Sequence, residues 1–434
     1  MRLIALAAIL LATTPAFAVD AVTYRGTLGT HDIVVELASE IEGKMVGRYS
    51  YLGNGGDIPL TFMGRLGTPV LMMEEAPCTE DTCAADDDGN VLNPPIGAFW
   101  SVTPSADGAT LTGTWEPGGK SGKTLDITLE RIGQRTLPED EDITPSSIRE
   151  SAMDLIWRSE RSFNRDTAPY EFAKQEVPFD GGPEQELEGS TFRYVTDPRT
   201  QFQFPRVVAL ADGSPMDQVN DALEIRHTII NTFAFDCLSQ VYPAFGATQS
   251  MIGFGRGTLG DYDSEQVELN YLSPTAMSWT ESGSTFCGGA YPHNHSDSYN
   301  LDVKTGETFP LANVFKGWIA TNSRADWDAE VDQAEAAVWP GNYFWKADQS
   351  LVDFAIARAP IKADAEYDED CGLDETTQDY LAIRFAPGGA AVFRLEGLPH
   401  VMGACIGDLM TIKLGDDPEI LAPTAGDYFP DSAG

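Results

Sequence analysis

Between residues 21 and 132, apolar and polar residues alternate in short runs, at 22–28, 32–37, 45–52, 58–63, 70–73, 98–102, 111–115 and 125–129. Glycine or aspartate breaks the chain between them. A period of two turns one face of each run toward a core and the other toward water. No helical period intervenes, so the segment predicts roughly eight antiparallel strands in a meander. Such a sheet hides its edges by folding over or closing, and a small barrel is the expected outcome. Gly26, Gly47 and Gly113, with Tyr49, Tyr51 and Trp115 nearby, fit kinks where a strand bends beside an aromatic ring.

The pattern changes after Pro138-Glu139-Asp140-Glu141-Asp142, a proline and four like charges that read as a linker. Thr144-Pro145 starts a helix running to about Phe163, striped by Ile148, Ala152, Leu155 and Ile156. Residues 164–189 read as irregular. Strands follow at 192–196 and 204–210, then an Asp212-Gly213-Ser214-Pro215 turn and a helix through Val219, Leu223, His227, Ile230 and Phe233. Alternating runs at 267–272 and 276–280 lead to a strand bearing Tyr299, Leu301 and Val303, turned by Lys304-Thr305-Gly306-Glu307. Residues 327–338 and 349–357 read as amphipathic helices, 381–385 and 391–395 as a hairpin, and 409–414 as a last strand. The expected architecture is two-domain: an all-β N-terminal barrel and a C-terminal α+β part. Its divisions are a leader at 1–18, the barrel at 19–134, an acidic linker with one helix at 135–189, the α+β module at 190–421 and a tail at 422–434.

Composition narrows the setting. Arg2, an apolar run from Leu3 to Leu11 and Ala16-Phe17-Ala18 have the form of a cleaved export signal, too short to span a bilayer. Lys and Arg number 28 against 67 Asp and Glu, a net charge of −39, which loss of Arg2 with the leader takes to −40. That surface repels nucleic acid and anionic lipid and attracts basic proteins and cations. A chain that is 42% hydrophobic and 10% aromatic builds cores and is not disordered. Six cysteines in an exported chain read as disulfides. Proximity favours Cys78–Cys83, with Cys237–Cys287 and Cys371–Cys405 as the longer bridges. These expectations place the protein in the periplasm or outside the cell, with no membrane insertion after cleavage.

Candidate chemistry is sparse. His293 and His295, two apart on an extended chain, point to one side with Asp297 following, a set with the donors for zinc or iron; a polar loop is the competing reading. His227 sits among apolar helix neighbours and reads as structural. The loop from Cys78 to Asn90 carries Glu80, Asp81, Asp86, Asp87 and Asp88, but lacks the spacing of a calcium loop and reads as solvated. Gly253-Phe254-Gly255-Arg256-Gly257 has no lysine or hydroxyl of a phosphate loop. No nucleophile elbow, His-Glu-x-x-His or Ser-x-x-Lys motif occurs. No cofactor is expected.

Two resemblances add to these readings. The rhythm of the first domain is similar to that of small lipocalin-like barrels. Phe204-Pro205-Arg206-Val207 with the helix at Val219-Asn220, then Cys287-Gly288-Gly289-Ala290-Tyr291-Pro292, the Leu301-to-Gly306 turn, 311–315 and the closing segment 380–414 resemble a two-part extracytoplasmic bacterial module. That module occurs in lysozyme-responsive anti-sigma factors and as the non-catalytic part of peptidoglycan deacetylases. The resemblance spans about 190–421 and implies an α+β fold that binds, with lysozyme, a basic protein, as the partner in the anti-sigma factors. The leading expectation is therefore an exported envelope protein that binds a basic protein or a cell-wall component such as peptidoglycan. A wall- or polysaccharide-directed hydrolase, working through unassigned carboxylates or a metal at His293 and His295, is the second reading. A carrier of a small apolar ligand in the barrel is the third.

Overall fold

The computed structural model describes residues 19–41, 43–79, 81–86, 91–119, 122–138, 142–246, 265–287, 292–360 and 370–430. The leader, most of the 139–142 charge run, Glu80, Asp87, Asp88, the 253–257 glycine run, and Gly288, Gly289 and Tyr291 lie outside them. The described residues fall into two compact units, one of residues within 1–176 and 239–253, the other within 177–238 and 254–434.

In the first unit, β1 (Asp20–Leu28), β2 (His31–Ile41), β3 (Lys44–Tyr51), β4 (Ile58–Phe62), β5 (Val70–Glu75), β6 (Ile96–Pro104), β7 (Thr110–Pro117) and β8 (Leu125–Thr136) run antiparallel. They pair in sequence order, and β1 pairs with β8 to close the barrel. Each strand covers one of the alternating runs of the sequence. The inward set, including Ile33, Val35, Tyr49, Met72, Trp100, Leu111 and Leu129, packs into one core. A Cβ at Gly26, Gly47 or Gly113 would lie 2.0, 1.9 or 2.0 Å from a carbonyl oxygen of the neighbouring strand, so these three kinks require glycine.

Outside the barrel, α1 (Pro145–Arg158) starts at a capping box in which Thr144 and Ser147 satisfy each other's backbone N–H groups. It lays Ile148 over Ala21, Ala38 and Val46. The segment expected to be irregular instead contains α2 (Pro169–Lys174), all six of whose residues are buried. A helix this short shows no period in sequence, and its Glu171 and Lys174 look like solvent-facing residues. They are held by charge instead. Lys174 Nζ pairs with Asp57 at 3.0 Å and with Glu171 at 2.9 Å, and Arg48 joins Asp57 at 2.7 Å, Glu171 at 2.8 Å and Glu36 at 2.8 Å. Arg135 meets Glu36 at 2.7 Å, and Tyr170 Oη donates to Asp57 at 2.8 Å. Three cations thus face three carboxylates, so the buried cluster carries no uncompensated charge.

The second unit combines sheets with helices. β11 (Ser190–Thr196) pairs with β12 (Gln203–Ala209), β10 (Gln185–Leu187) and β9 (Asp180–Gly181). β13 (Gln266–Leu272), β14 (Ala276–Thr285), β15 (His293–Asp302) and β16 (Glu307–Thr308) form a four-stranded sheet. On one face, α3 (Asp217–Ser239) packs Val219, Leu223 and Ile230 against Met277, Trp279 and Leu301. On the other, Asn300 Nδ2 donates to the Ile383 carbonyl at 2.7 Å, tying β15 to the sheet of β19 (Leu381–Ala386), β20 (Ala390–Leu395) and β21 (Gly407–Lys413). β17 (Trp318–Ser323) pairs with β18 (Tyr343–Ala347), a hairpin with no counterpart in the sequence reading. Of the helix expected over 327–338 only α4 (Gln333–Val338) forms; α5 (Gln349–Arg358) and α6 (Leu373–Tyr380) follow. The expected tail contributes Ala425 and Phe429 to the core with Phe309, Phe385 and Phe393. The disulfides are Cys78–Cys83, Cys237–Cys287 and Cys371–Cys405, with Cα atoms 5.4, 5.4 and 5.8 Å apart. Among the described residues no helix is long and apolar enough to cross a membrane.

Candidate functional site

The histidine pair lies on a strand, not in a loop. β15 begins at His293 and pairs along its whole length with β14, so that Thr285 faces His293, Gly283 faces His295, Glu281 faces Asp297 and Trp279 faces Tyr299. Alternation puts these residues on the sheet face that α3 covers. The two imidazole rings stack, 5.2 Å apart and 11° from parallel. His295 Nδ1 lies 3.1 Å from Asp297 Oδ2, and its Nε2 lies 2.9 Å from Glu265 Oε2. Gly283 makes the second contact feasible: a Cβ there would sit 3.0 Å from Glu265 Oε2 and 3.3 Å from His295 Nε2.

One step along the same face, Arg226 of α3 grips Glu281, Nε to Oε1 at 2.9 Å and Nη2 to Oε2 at 2.6 Å, and also donates to Tyr299 Oη. Trp279 Nε1 donates to Glu281 Oε1 at 2.9 Å, and its ring stacks on Tyr299 at 5.3 Å. The face therefore grades from the apolar core, through an aromatic stack and a buried Arg–Glu pair, to the histidine pair at its end.

Electrostatics assign the protonation state. Burial alone would depress the His295 pKa, but hydrogen bonds to Asp297 and Glu265, and their charges, raise it to about 10. Burial lifts Glu265 above the ordinary carboxylate range, with Glu281 adding to the shift and His295 and Arg226 opposing it. At neutral pH His295 is an imidazolium with both N–H groups engaged. In that state both ring nitrogens donate, Nδ1 toward Asp297 and Nε2 toward Glu265. Among the described residues no group of three or more His, Cys, Asp or Glu is disposed to hold a metal ion. Of the proposed ligand set, His295 and Asp297 thus come together as an ion-paired triad with Glu265, and His293 joins them by stacking its ring on that of His295.

His227 is fully buried, stacked on Phe204 at 5.3 Å, with Arg206 Nη2 3.2 Å from its Nδ1. Burial, then Arg206 and Arg199, push its pKa well below the ordinary value, so this histidine is neutral. The two histidine environments are opposite, one holding a proton and one refusing it.

The barrel interior holds a further polar group. Glu74 Oε2 accepts from Trp100 Nε1 at 2.9 Å and Trp115 Nε1 at 2.8 Å, while Tyr49 packs on Trp100 at 4.9 Å. Burial raises the Glu74 pKa against these donors. The other inward side chains of the barrel form its apolar core.

Glu265, Glu281, Arg226 and Glu74 were not singled out by the sequence reading. For Glu265 and Glu281 the available signal was parity: they fall in phase with the core residues Val267 and Leu269 and with Met277 and Trp279, as charged residues on an otherwise apolar face. Their partnership with His295 and Arg226 depends on strand pairing and on the docking of α3. No protein-family model matches the sequence, and no curated protein matches it.

Proposed function

We propose that this protein is an exported protein of the bacterial cell envelope that captures a basic partner, with lysozyme as the test case, and acts by binding rather than by chemistry. The observation that carries the reading is the excess of 67 acids over 28 bases. Acids in that excess cannot all pair internally, and the surplus gives a field that draws in cationic proteins. The chemistry at the β15 end supports the same reading. Its titratable groups pair with one another, Arg226 with Glu281 and His295 with both Glu265 and Asp297. The three disulfides fit an oxidising compartment, and the export-signal form of 1–18 points to the same place.

The test uses the chain without its leader, immobilised and exposed to lysozyme at 25, 150 and 500 mM salt. Capture at low salt that weakens steeply as salt rises is the expected result. Absence of capture at 25 mM salt overturns the proposal.

A further inference from the structure

Single exposed aromatics need no explanation, but a cluster of them on one small element does. The β17–β18 hairpin and its connection carry two such rings in contact, Trp327 and Phe344, with a third, Trp339, on the same connection. Trp327 is 65% exposed, Trp339 62%, and Phe344 37%. Trp327 lies 5.4 Å from Phe344 at an interplanar angle of 59°, and the Arg324 guanidinium sits 4.4 Å over the Phe344 ring.

The element that presents these rings is held in place. Gln333 at the start of α4 clasps the Ala320 backbone of β17 with two bonds, 2.9 Å and 2.7 Å. Asp332 caps α4, Ser323 Oγ accepts from Ala325 N at 3.1 Å, and Arg324 N donates to the Asn342 carbonyl at 2.8 Å. Rings on a pinned scaffold lose little further freedom on binding, the condition under which tryptophan becomes an anchor. Acids flank them: Asp326 and Asp328 bracket Trp327 in sequence, and desolvation, then Glu335 and Asp332, raise the Tyr343 phenol's pKa.

We infer that Trp327, Trp339 and Phe344, with Asp326 and Asp328, form the docking surface for a basic protein, whose lysine and arginine side chains meet the carboxylates and lie on the ring faces. The inference rests on the reading of the protein as a binder of basic partners and supplies the place where binding occurs. Charge decides the occupant. A second copy of a chain with net charge −39 is repelled. An extended glycan calls for coplanar rings, and Trp327 and Phe344 are tilted by 59°. A cation over a ring face is an arrangement the patch already makes, with Arg324 on Phe344.

The experiment compares lysozyme capture by the wild-type chain, W327A/W339A, D326N/D328N and W157A, at 50 and 200 mM salt. Trp157 is an equally exposed tryptophan, 73% exposed, that belongs to the other unit. W327A/W339A is expected to weaken capture at least tenfold at both salts while the salt dependence stays. D326N/D328N is expected to weaken it mainly at 50 mM and flatten the salt dependence, and W157A to match the wild type. Unchanged circular dichroism confirms that each variant folds, as substitution at exposed positions allows. Wild-type capture with W327A/W339A within twofold of it overturns the docking surface and leaves the binding function standing. No wild-type capture at 50 mM or at 25 mM overturns both. Binding of a peptidoglycan oligosaccharide that W327A/W339A abolishes, with lysozyme capture intact, assigns the surface to a glycan and overturns the inference.

Discussion

At the scale of single residues, two histidines in one chain show how neighbours determine a proton. His227 is surrounded by Phe204, Phe179 and two arginines and stays neutral. His295 sits between two carboxylates and stays charged, with a pKa of about 10 against an ordinary 6.5. A group with a raised folded-state pKa stabilises the fold fully below its unfolded value, and that stabilisation is lost as pH rises through the folded value. His295→Gln is therefore expected to cost about 2 kcal/mol at pH 6, the scale of hydrogen bonds to a charged group. The difference from wild type should shrink between pH 6.5 and 10. Urea titrations at pH 6, 8 and 10 measure it, and a difference independent of pH would remove the imidazolium from the account. That His293 and His295 share a side follows from their spacing; that Glu265 arrives at Nε2 does not, because the contact joins residues on strands whose pairing no local pattern encodes.

At the scale of elements, the barrel strands and α2 are opposite cases. All eight strands coincide with alternating runs, since in a sheet with a buried face the period of two is the fold's own requirement. α2 has no such signature, because a helix of six residues shows no period and its Glu171 and Lys174 are buried by ion pairs beside the packed ring of Phe172. Removing one partner of a buried charge cluster leaves the others uncompensated. Lys174→Met is expected to destabilise the first unit by about 3–5 kcal/mol, read from denaturant unfolding followed by circular dichroism. The same cluster makes the unit acid-sensitive. Burial pushes the carboxyls of Glu36 and Asp57 up, but Arg135 and Arg48 hold Glu36, and Lys174 and Arg48 hold Asp57, below the ordinary 4.5 and 3.8. Depressed carboxylates stabilise above their unfolded pKa, so stability should fall as pH drops below about 4.5. In Lys174→Met that acid slope should be shallower; an equal slope would show that other carboxylates carry it. The hairpin of β17 and β18 escaped the sequence reading for a related reason: Trp327 to Val338 has helical spacing, but Gln333 and Asp332 tie only its second half into a helix.

At the scale of the whole molecule, the acid excess should act in two directions at once. Self-repulsion of a −39 chain opposes compaction and is screened by salt. Raising sodium chloride from 20 to 300 mM should lift the Tm by about 2–4 °C, the equivalent of about 1 kcal/mol, while lysozyme capture weakens. A Tm that falls over that range would mean that internal pairs such as Arg48–Asp57 outweigh the surface repulsion. The amino-acid sequence by itself determined the strand-by-strand course of the barrel, the glycines at its kinks, the capped start of α1, the nearest-neighbour cysteine bridges and the sign of the field, because each depends on local period, backbone freedom or simple counting. Only the tertiary structure decided that β1 meets β8, that Glu171 and Lys174 of α2 are buried among ion pairs, that His295 lies between Glu265 and Asp297, and that Trp327 and Trp339 are left facing water. Those outcomes join residues far apart in the chain, and the energy that selects them exists only once the partners are in contact.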